Sequence, residues 1–143
     1  MTHGTHDYDI DPRNEAILIS VNGELFPRDE AKVSVFDSGY ILGDGVWEGL
    51  RLHNGKLFHI NQHLARLYEG AKALDMDIGL SEDELKIRVE ETCTANQMES
   101  GVHIRLMVTR GIKATPYQDP RITISPPTIV IIPEYKAPLE ETL

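Results

Sequence analysis

Two Asn-Gly pairs set between apolar runs, Asn22-Gly23 and Asn54-Gly55, do most to limit how this chain can fold. A tight two-residue hairpin turn needs positive φ at both central positions. Asparagine and glycine tolerate that, so N-G between β-rich runs marks an antiparallel strand pair. The first pair joins Ala16–Val21 to Glu24–Phe26, with Pro27 closing the second strand. The second joins an alternating run, Val46–His53, to a strand over Lys56–Ile60. Val33–Phe36 also alternates and predicts a strand, after which Asp37-Ser38-Gly39 turns the chain. Further on, Val102–Arg110 alternates, and Thr128–Ile132 is a near-continuous apolar run of the kind found central in a sheet or buried on both faces.

Two helices complete the pattern. Leu64, Leu67, Ala71 and Leu74 recur at helical spacing behind Asn61, a good N-cap, and predict a helix over about Gln62–Met76. Arg66 falls off that apolar stripe, on the side of His63 and Gly70. Ser81 with Glu84 three residues on is a capping box. Behind it Leu85, Val89, Thr92 and Cys93 form the buried stripe of a second helix, ending near Asn96 or Gln97. The fold class is therefore α+β: a two-layer domain with a mainly antiparallel sheet of about six strands and two helices on one face. The expected organisation is a flexible leader over 1–15, one domain over 16–135 and a polar linker over 136–143. Gly111–Pro127, rich in proline and threonine, reads as a long loop, and loops of that length are functional or disordered.

Charge and cysteine usage exclude several classes. A net charge of −9 argues against nucleic acid or an anionic membrane surface as partner. An anionic ligand then needs a local basic pocket. A single cysteine, Cys93, forbids an intrachain disulfide and implies a reducing, cytoplasmic setting. No apolar run is long enough to span a bilayer, and the first residues lack the basic and apolar regions of a signal peptide. His3 and His6 read as tail histidines rather than metal ligands.

The usual catalytic signatures are absent: no G-x-S-x-G, H-E-x-x-H, C-x-x-C or P-loop. Gly43-Asp44-Gly45 lacks the third glycine of a dinucleotide fingerprint and is followed by a strand, not a helix. His59 and His63 straddle the strand-to-helix break at Asn61, which argues against a metal pair. None of the lysines lies in an apolar stretch that would depress its pKa for Schiff-base chemistry. What stands out is placement. One face of the Val46–His53 strand carries Trp47, Gly49 and Arg51, a mixture odd for a core and suited to a pocket wall. The minor face of Val102–Arg110 carries His103 and Arg105. Arg66, free of the apolar stripe, offers a guanidinium fork of the kind that suits phosphate.

These residues sit in three runs, D-S-G-Y-I-L-G-D-G-V-W-E-G-L-R, N-G-K-L-F-H-I-N-Q-H-L-A-R-L and V-H-I-R-L-M-V-T-R-G, whose order resembles the class IV aminotransferases, the fold-type IV pyridoxal-phosphate enzymes. The match covers roughly Ile17–Pro138. The resemblance implies the small N-terminal domain of an enzyme that moves an amino group between a branched-chain-type amino acid or (R)-amine and a 2-oxo acid. It implies pyridoxal 5'-phosphate as cofactor, a C-terminal domain of the same enzyme as partner, and a homodimer. By that resemblance Arg66 binds the cofactor phosphate, Trp47 lines the substrate side, and Arg51, His103 and Arg105 match substrate-pocket positions. The Arg-x-His carboxylate trap of the D-amino-acid enzymes is replaced by Thr115 and Tyr117, so that specificity is not implied. The Schiff-base lysine of the family is expected downstream of Leu143, which predicts that this chain alone is inactive. The alternatives within the fold are an aminodeoxychorismate lyase-like enzyme and a non-catalytic binding module.

Overall fold

The structure, a computed structural model, describes residues 10–138. Six antiparallel strands form one sheet in the order β2-β1-β6-β5-β3-β4. They are β1 (Leu18–Val21), β2 (Glu24–Pro27), β3 (Gly45–His53), β4 (Lys56–Leu57), β5 (Val102–Thr109) and β6 (Thr128–Tyr135). Three helices accompany them: α1 (Ser38–Leu42), α2 (Ile60–Ala73) and α3 (Glu82–Ala95). The α+β two-layer expectation is met, with α2 and α3 on one face of the sheet and the short α1 in addition.

Both Asn-Gly turns form as the dihedral argument requires. Asn22 and Gly23 have φ of 54° and 84°, and Asn54 and Gly55 have 49° and 76°. Val21 then faces Glu24, and His53 faces Lys56. The capping box is also present: Ser81 Oγ accepts from Glu84 N–H while Glu84 Oε1 accepts from Ser81 N–H, both at 3.1 Å. It starts α3 and lets Leu85, Val89, Thr92 and Cys93 be buried against the sheet. On α2 the buried residues are Ile60, Leu64, Leu67 and Ala71. They cover Leu50 and Leu52 of β3, Ile104 and Leu106 of β5 and Ile131 of β6, all of which point to the helix side.

Several local expectations fail for tertiary reasons. Val33–Phe36 is not a strand. Among the described residues it has no ladder partner beyond one bridge at its end, Asp37 to Ile112, where Lys113 N–H donates to Phe36 O at 2.9 Å, and Val33, Val35 and Phe36 stay exposed. Alternation alone does not make a strand, because its backbone groups need a partner ladder. The Asp37-Ser38-Gly39 segment is a helix start rather than a bare turn: Asp37 caps α1, its Oδ1 accepting from Gly39 N–H at 2.8 Å. The second hairpin is short, since β4 ends at Leu57 and does not reach Ile60. The N-cap of α2 is His59, in the left-handed region at φ 52°, not Asn61, which lies within the helix. The Gly111–Pro127 loop folds back on itself, with Ala114 N–H donating to Ile122 O (3.0 Å) and Ile124 N–H to Ile112 O (2.8 Å).

Asparagine side chains close three ladder ends. Asn96, at the end of α3, accepts from Leu18 N–H at 2.7 Å and donates to Leu18 O at 2.9 Å, acting as an extra strand for β1. Asn14 does the same for Tyr135, and Asn22 bonds both backbone groups of Ile129.

Candidate functional site

Period-two alternation puts Glu48 on the helix side of β3, among residues that are otherwise apolar. Its residue is only 4% exposed. A buried carboxylate is costly unless it is paired and hydrogen bonded. Here α2 crosses β3 so that His63 and Arg66, three residues apart on one helix face, both reach it. Arg66 Nε donates to Glu48 Oε1 at 2.6 Å and Arg66 Nη2 donates to Oε2 at 2.7 Å. His63 Nδ1 lies 2.8 Å from the same Oε2. The Arg66 guanidinium, and then the His63 imidazole, hold the Glu48 carboxyl below its ordinary range against the opposing effect of burial. The carboxylate raises the already high pKa of Arg66 in return. With the Arg66 side chain 71% exposed and its forked edge taken by Glu48, the remaining terminal nitrogen, Nη1, has no protein acceptor among the described residues.

The opposite face of β3 carries the other sequence-derived candidates. The β3–β5 register sets Trp47 beside Met107, Gly49 beside Arg105 and Arg51 beside His103. The Arg105 guanidinium lies 3.6 Å from the centroid of the Trp47 ring, a cation–π stack on a ring that is 57% exposed. Gly49 leaves room for the imidazole: a Cβ there would stand 3.0 Å from His103 Nε2. Burial lowers the pKa of His103, and Lys136, Arg51 and Arg105 lower it further while Glu134 opposes them. Arg51 donates through Nη1 to the Lys136 carbonyl, and burial lowers its pKa.

The structure thus brings Trp47, Arg51, His103 and Arg105 together on the sheet face opposite α2 and α3 and puts Arg66 on the side of those helices. Adjacent residues of one strand, Trp47 and Glu48, mark the two faces. Only β4 lies outside β3, and it pairs with Leu52 and His53 alone. Among the described residues the outer edge of β3 from Gly45 to Leu50 therefore has no strand beside it.

Further along the face opposite α2 and α3, Ile19, Val21, Met107, Val130 and Ile132 line a hollow of about 340 Å³ with Asp37 and the start of α1 in its wall. Asp37 is buried, and its Oδ2 has no partner among the described residues.

Three assignments escaped sequence reasoning. Glu48 was visible only as an acid beside Trp47, and nothing local marks it as the anchor of Arg66. Asp44 of the Gly-Asp-Gly segment and Arg110 of Thr-Arg-Gly form a structural pin: Arg110 Nε donates to Asp44 Oδ2 at 2.7 Å. Its other nitrogens donate to the Leu74 and Asp75 carbonyls at 2.6 and 3.1 Å, fastening the end of α2. Lys113 is a buried lysine that its sequence setting did not signal. It is 1% exposed, and its Nζ donates to the Asp119 carbonyl at 3.0 Å inside the folded-back loop. The described residues include no cluster of three metal-ligating side chains and no helix long and apolar enough to cross a membrane. His3 and His6 lie outside the described residues.

Comparison with known proteins gives a consistent picture. The family model for amino-transferase class IV matches residues 45–142. The chain is 42% identical over 128 residues to branched-chain-amino-acid aminotransferase-like protein 1 of Arabidopsis thaliana, covering 90% of this chain and 23% of that protein. It is 40% identical over 108 residues to a D-alanine aminotransferase of Listeria monocytogenes, covering 76% of this chain and 35% of the relative. Among solved structures, the T.th. branched-chain amino acid aminotransferase complexed with N-(5'-phosphopyridoxyl)-L-glutamate superposes with a TM-score of 0.69 at 29% identity. That match covers 82% of this chain and 40% of the other. The branched-chain aminotransferase of Thermoproteus uzoniensis with norvaline has the same TM-score at 27% identity, with 83% and 40% covered. The chain spans 23% to 40% of the length of these relatives.

Proposed function

The chain belongs to the class IV aminotransferases, and from that membership we propose that it is the portion of a pyridoxal-phosphate-dependent aminotransferase that grips the cofactor phosphate and faces the substrate. The observation that carries the proposal is the state of Arg66: its guanidinium is anchored along one edge by Glu48, yet Nη1 is exposed and unpaired among the described residues. That donor set fits a phosphate oxygen. Glu48 occupies the Nε–Nη2 edge, so a two-bond grip on phosphate falls to the outer edge, Nη1 with the second hydrogen of Nη2. Arg66 then acts through that outer edge.

Pyridoxal phosphate, when bound, supplies the electron sink for chemistry at the substrate α-carbon. The parts of this chain act around it. Trp47 forms the substrate-side wall, kept in place by Arg105 stacked on its ring. Arg51, His103 and Arg105 bring basic groups to one patch that suits a substrate carboxylate. The reaction we propose transfers an amino group between a branched-chain-type amino acid or an (R)-amine and a 2-oxo acid. Support comes from the names of the relatives and from Thr115 and Tyr117 in the loop after β5. A C-terminal domain of the same enzyme would supply the amine that carries the cofactor, in a cytoplasmic homodimer; this chain alone would not transaminate.

Paired titrations test the phosphate reading. The chain should bind pyridoxamine 5'-phosphate more tightly than pyridoxamine, and Arg66→Ala should abolish the difference. Equal affinity for the two in the unaltered chain would overturn it. For the reaction, the enzyme containing this chain should form a branched-chain 2-oxo acid from the amino acid when loaded with the cofactor. Failure to use any 2-oxo acid acceptor would remove the aminotransferase assignment.

A further inference from the structure

Glu48 and His63 have no role in the reading above beyond their contacts around Arg66. A carboxylate beside a phosphate-binding guanidinium cancels the charge that attracts the ligand. Resting on that phosphate reading, we propose that Glu48 is the positioning residue of Arg66, and that His63 restores the lost charge by taking up a proton when a phosphate-like dianion binds.

The geometry gives each group its part. Glu48 is rigid: buried, mid-strand, with β5 on one side along the full register. Its two oxygens take the Nε and Nη2 edge of Arg66 at 2.6 and 2.7 Å. That pair of bonds fixes the guanidinium plane on a side chain that would otherwise sample many rotamers in water. The outer edge, Nη1 with the second hydrogen of Nη2, is left for a ligand. Local charge then depends on His63. An ionised carboxylate only accepts hydrogen bonds, so Nδ1 of His63, 2.8 Å from Oε2, carries the hydrogen. The second nitrogen, Nε2, receives the extra proton from solvent. With His63 neutral, the Arg66–Glu48–His63 group has no net charge; with His63 protonated, it carries one positive charge. Among the described residues Glu48 from β3 is the charged group bonded to His63, while Arg66 follows one turn later on α2 and His59 lies one turn before it. Among the described residues no side chain of α3 is hydrogen bonded to it. A dianion at Nη1 favours the protonated imidazole, and by linkage protonation favours the dianion.

Sulfate is the suitable probe, because its charge does not change between about pH 5 and 8, where histidines titrate. Its binding to the 143-residue chain is followed by calorimetry and by the Arg66 Nε–H resonance. One unit of charge acting on a dianion across several ångströms of water-like dielectric is worth roughly tenfold in affinity. Sulfate affinity should therefore fall about tenfold from the acid to the alkaline end of that range. His63→Gln should flatten the profile to within about twofold, less than the factor expected for one charge. In the free protein Glu48→Gln should broaden the Arg66 Nε–H signal and speed its exchange. If that variant does not fold, the His63→Gln pH series decides alone. A profile equally steep in His63→Gln would overturn the proton link while leaving the phosphate role of Arg66 intact. No binding at the acid end, or sulfate held as tightly by Arg66→Ala as by the unaltered chain, would overturn the phosphate role and this inference with it.

Discussion

Replacing Arg110 by Met should loosen the helix that carries Arg66 at the end remote from Glu48. Arg110 donates four hydrogen bonds, two to the Asp44 carboxylate and two to the Leu74 and Asp75 carbonyls at the end of α2. Both members of the ion pair are mostly shielded, with side chains 15% and 19% exposed. A charged hydrogen bond in such a setting is worth about 1.5–2 kcal/mol net, whereas the two carbonyls sit near solvent and rehydrate at a cost of about 0.5–1 kcal/mol each. The expected loss is about 3 kcal/mol, a large part of the stability of a domain of this size. It corresponds to a fall in the urea midpoint of about 1.5–2 M, or about 10 °C in Tm. Urea titrations followed by circular dichroism and by the single tryptophan, Trp47, read the change on both sides of the sheet. A double-mutant cycle with Asp44→Asn isolates the pair. A loss below about 1 kcal/mol, or additive effects in the cycle, would show that water replaces the pin and that α2 is held by its apolar stripe alone.

Other perturbations give sharp expectations. Gly45→Ala puts a Cβ 2.8 Å from the Val108 carbonyl, a backbone atom that cannot move without breaking the β3–β5 ladder. It should cost more than about 2 kcal/mol by chemical denaturation. Gly43→Ala meets nothing within 4 Å and pays only for its φ of 66°, about 1 kcal/mol. Asn96→Ala should cost about 2 kcal/mol and speed hydrogen exchange at the Leu18 amide, because the strand end loses its side-chain partner. His103 has its pKa lowered in the folded chain, chiefly by burial, so the unfolded chain binds the proton more readily. Stability should then fall as pH drops through the ordinary histidine range, and His103→Gln should flatten that slope in urea midpoints measured from about pH 7.5 down to 5.

Features whose causes are local could be read before any coordinates. An Asn-Gly turn needs positive φ at two adjacent residues, and those residue types meet it wherever they stand, so both hairpins and their registers follow. The Ser81–Glu84 box and the stripes of α2 and α3 depend on spacings of three and four. Alternation in Val102–Thr109 likewise assigned His103 and Arg105 to the face opposite the core. The same rule misled at Val33–Phe36, where the pattern is present and the partner is not.

What the sequence determined by itself is the six strands and two long helices, though not α1 or the failure of Val33–Phe36 to pair, and the family to which their motifs point. Tertiary structure alone decided which polar groups meet. Asn96 finds Leu18 across 78 positions and Asn14 finds Tyr135 across 121, and no periodicity encodes such distances. Glu48 meets Arg66 only because α2 crosses β3 at that point. Turns, caps and amphipathic stripes depend on neighbours within a few residues, which the chain order specifies. Buried polar pairs depend on how finished elements cross, and that is settled by packing the whole domain.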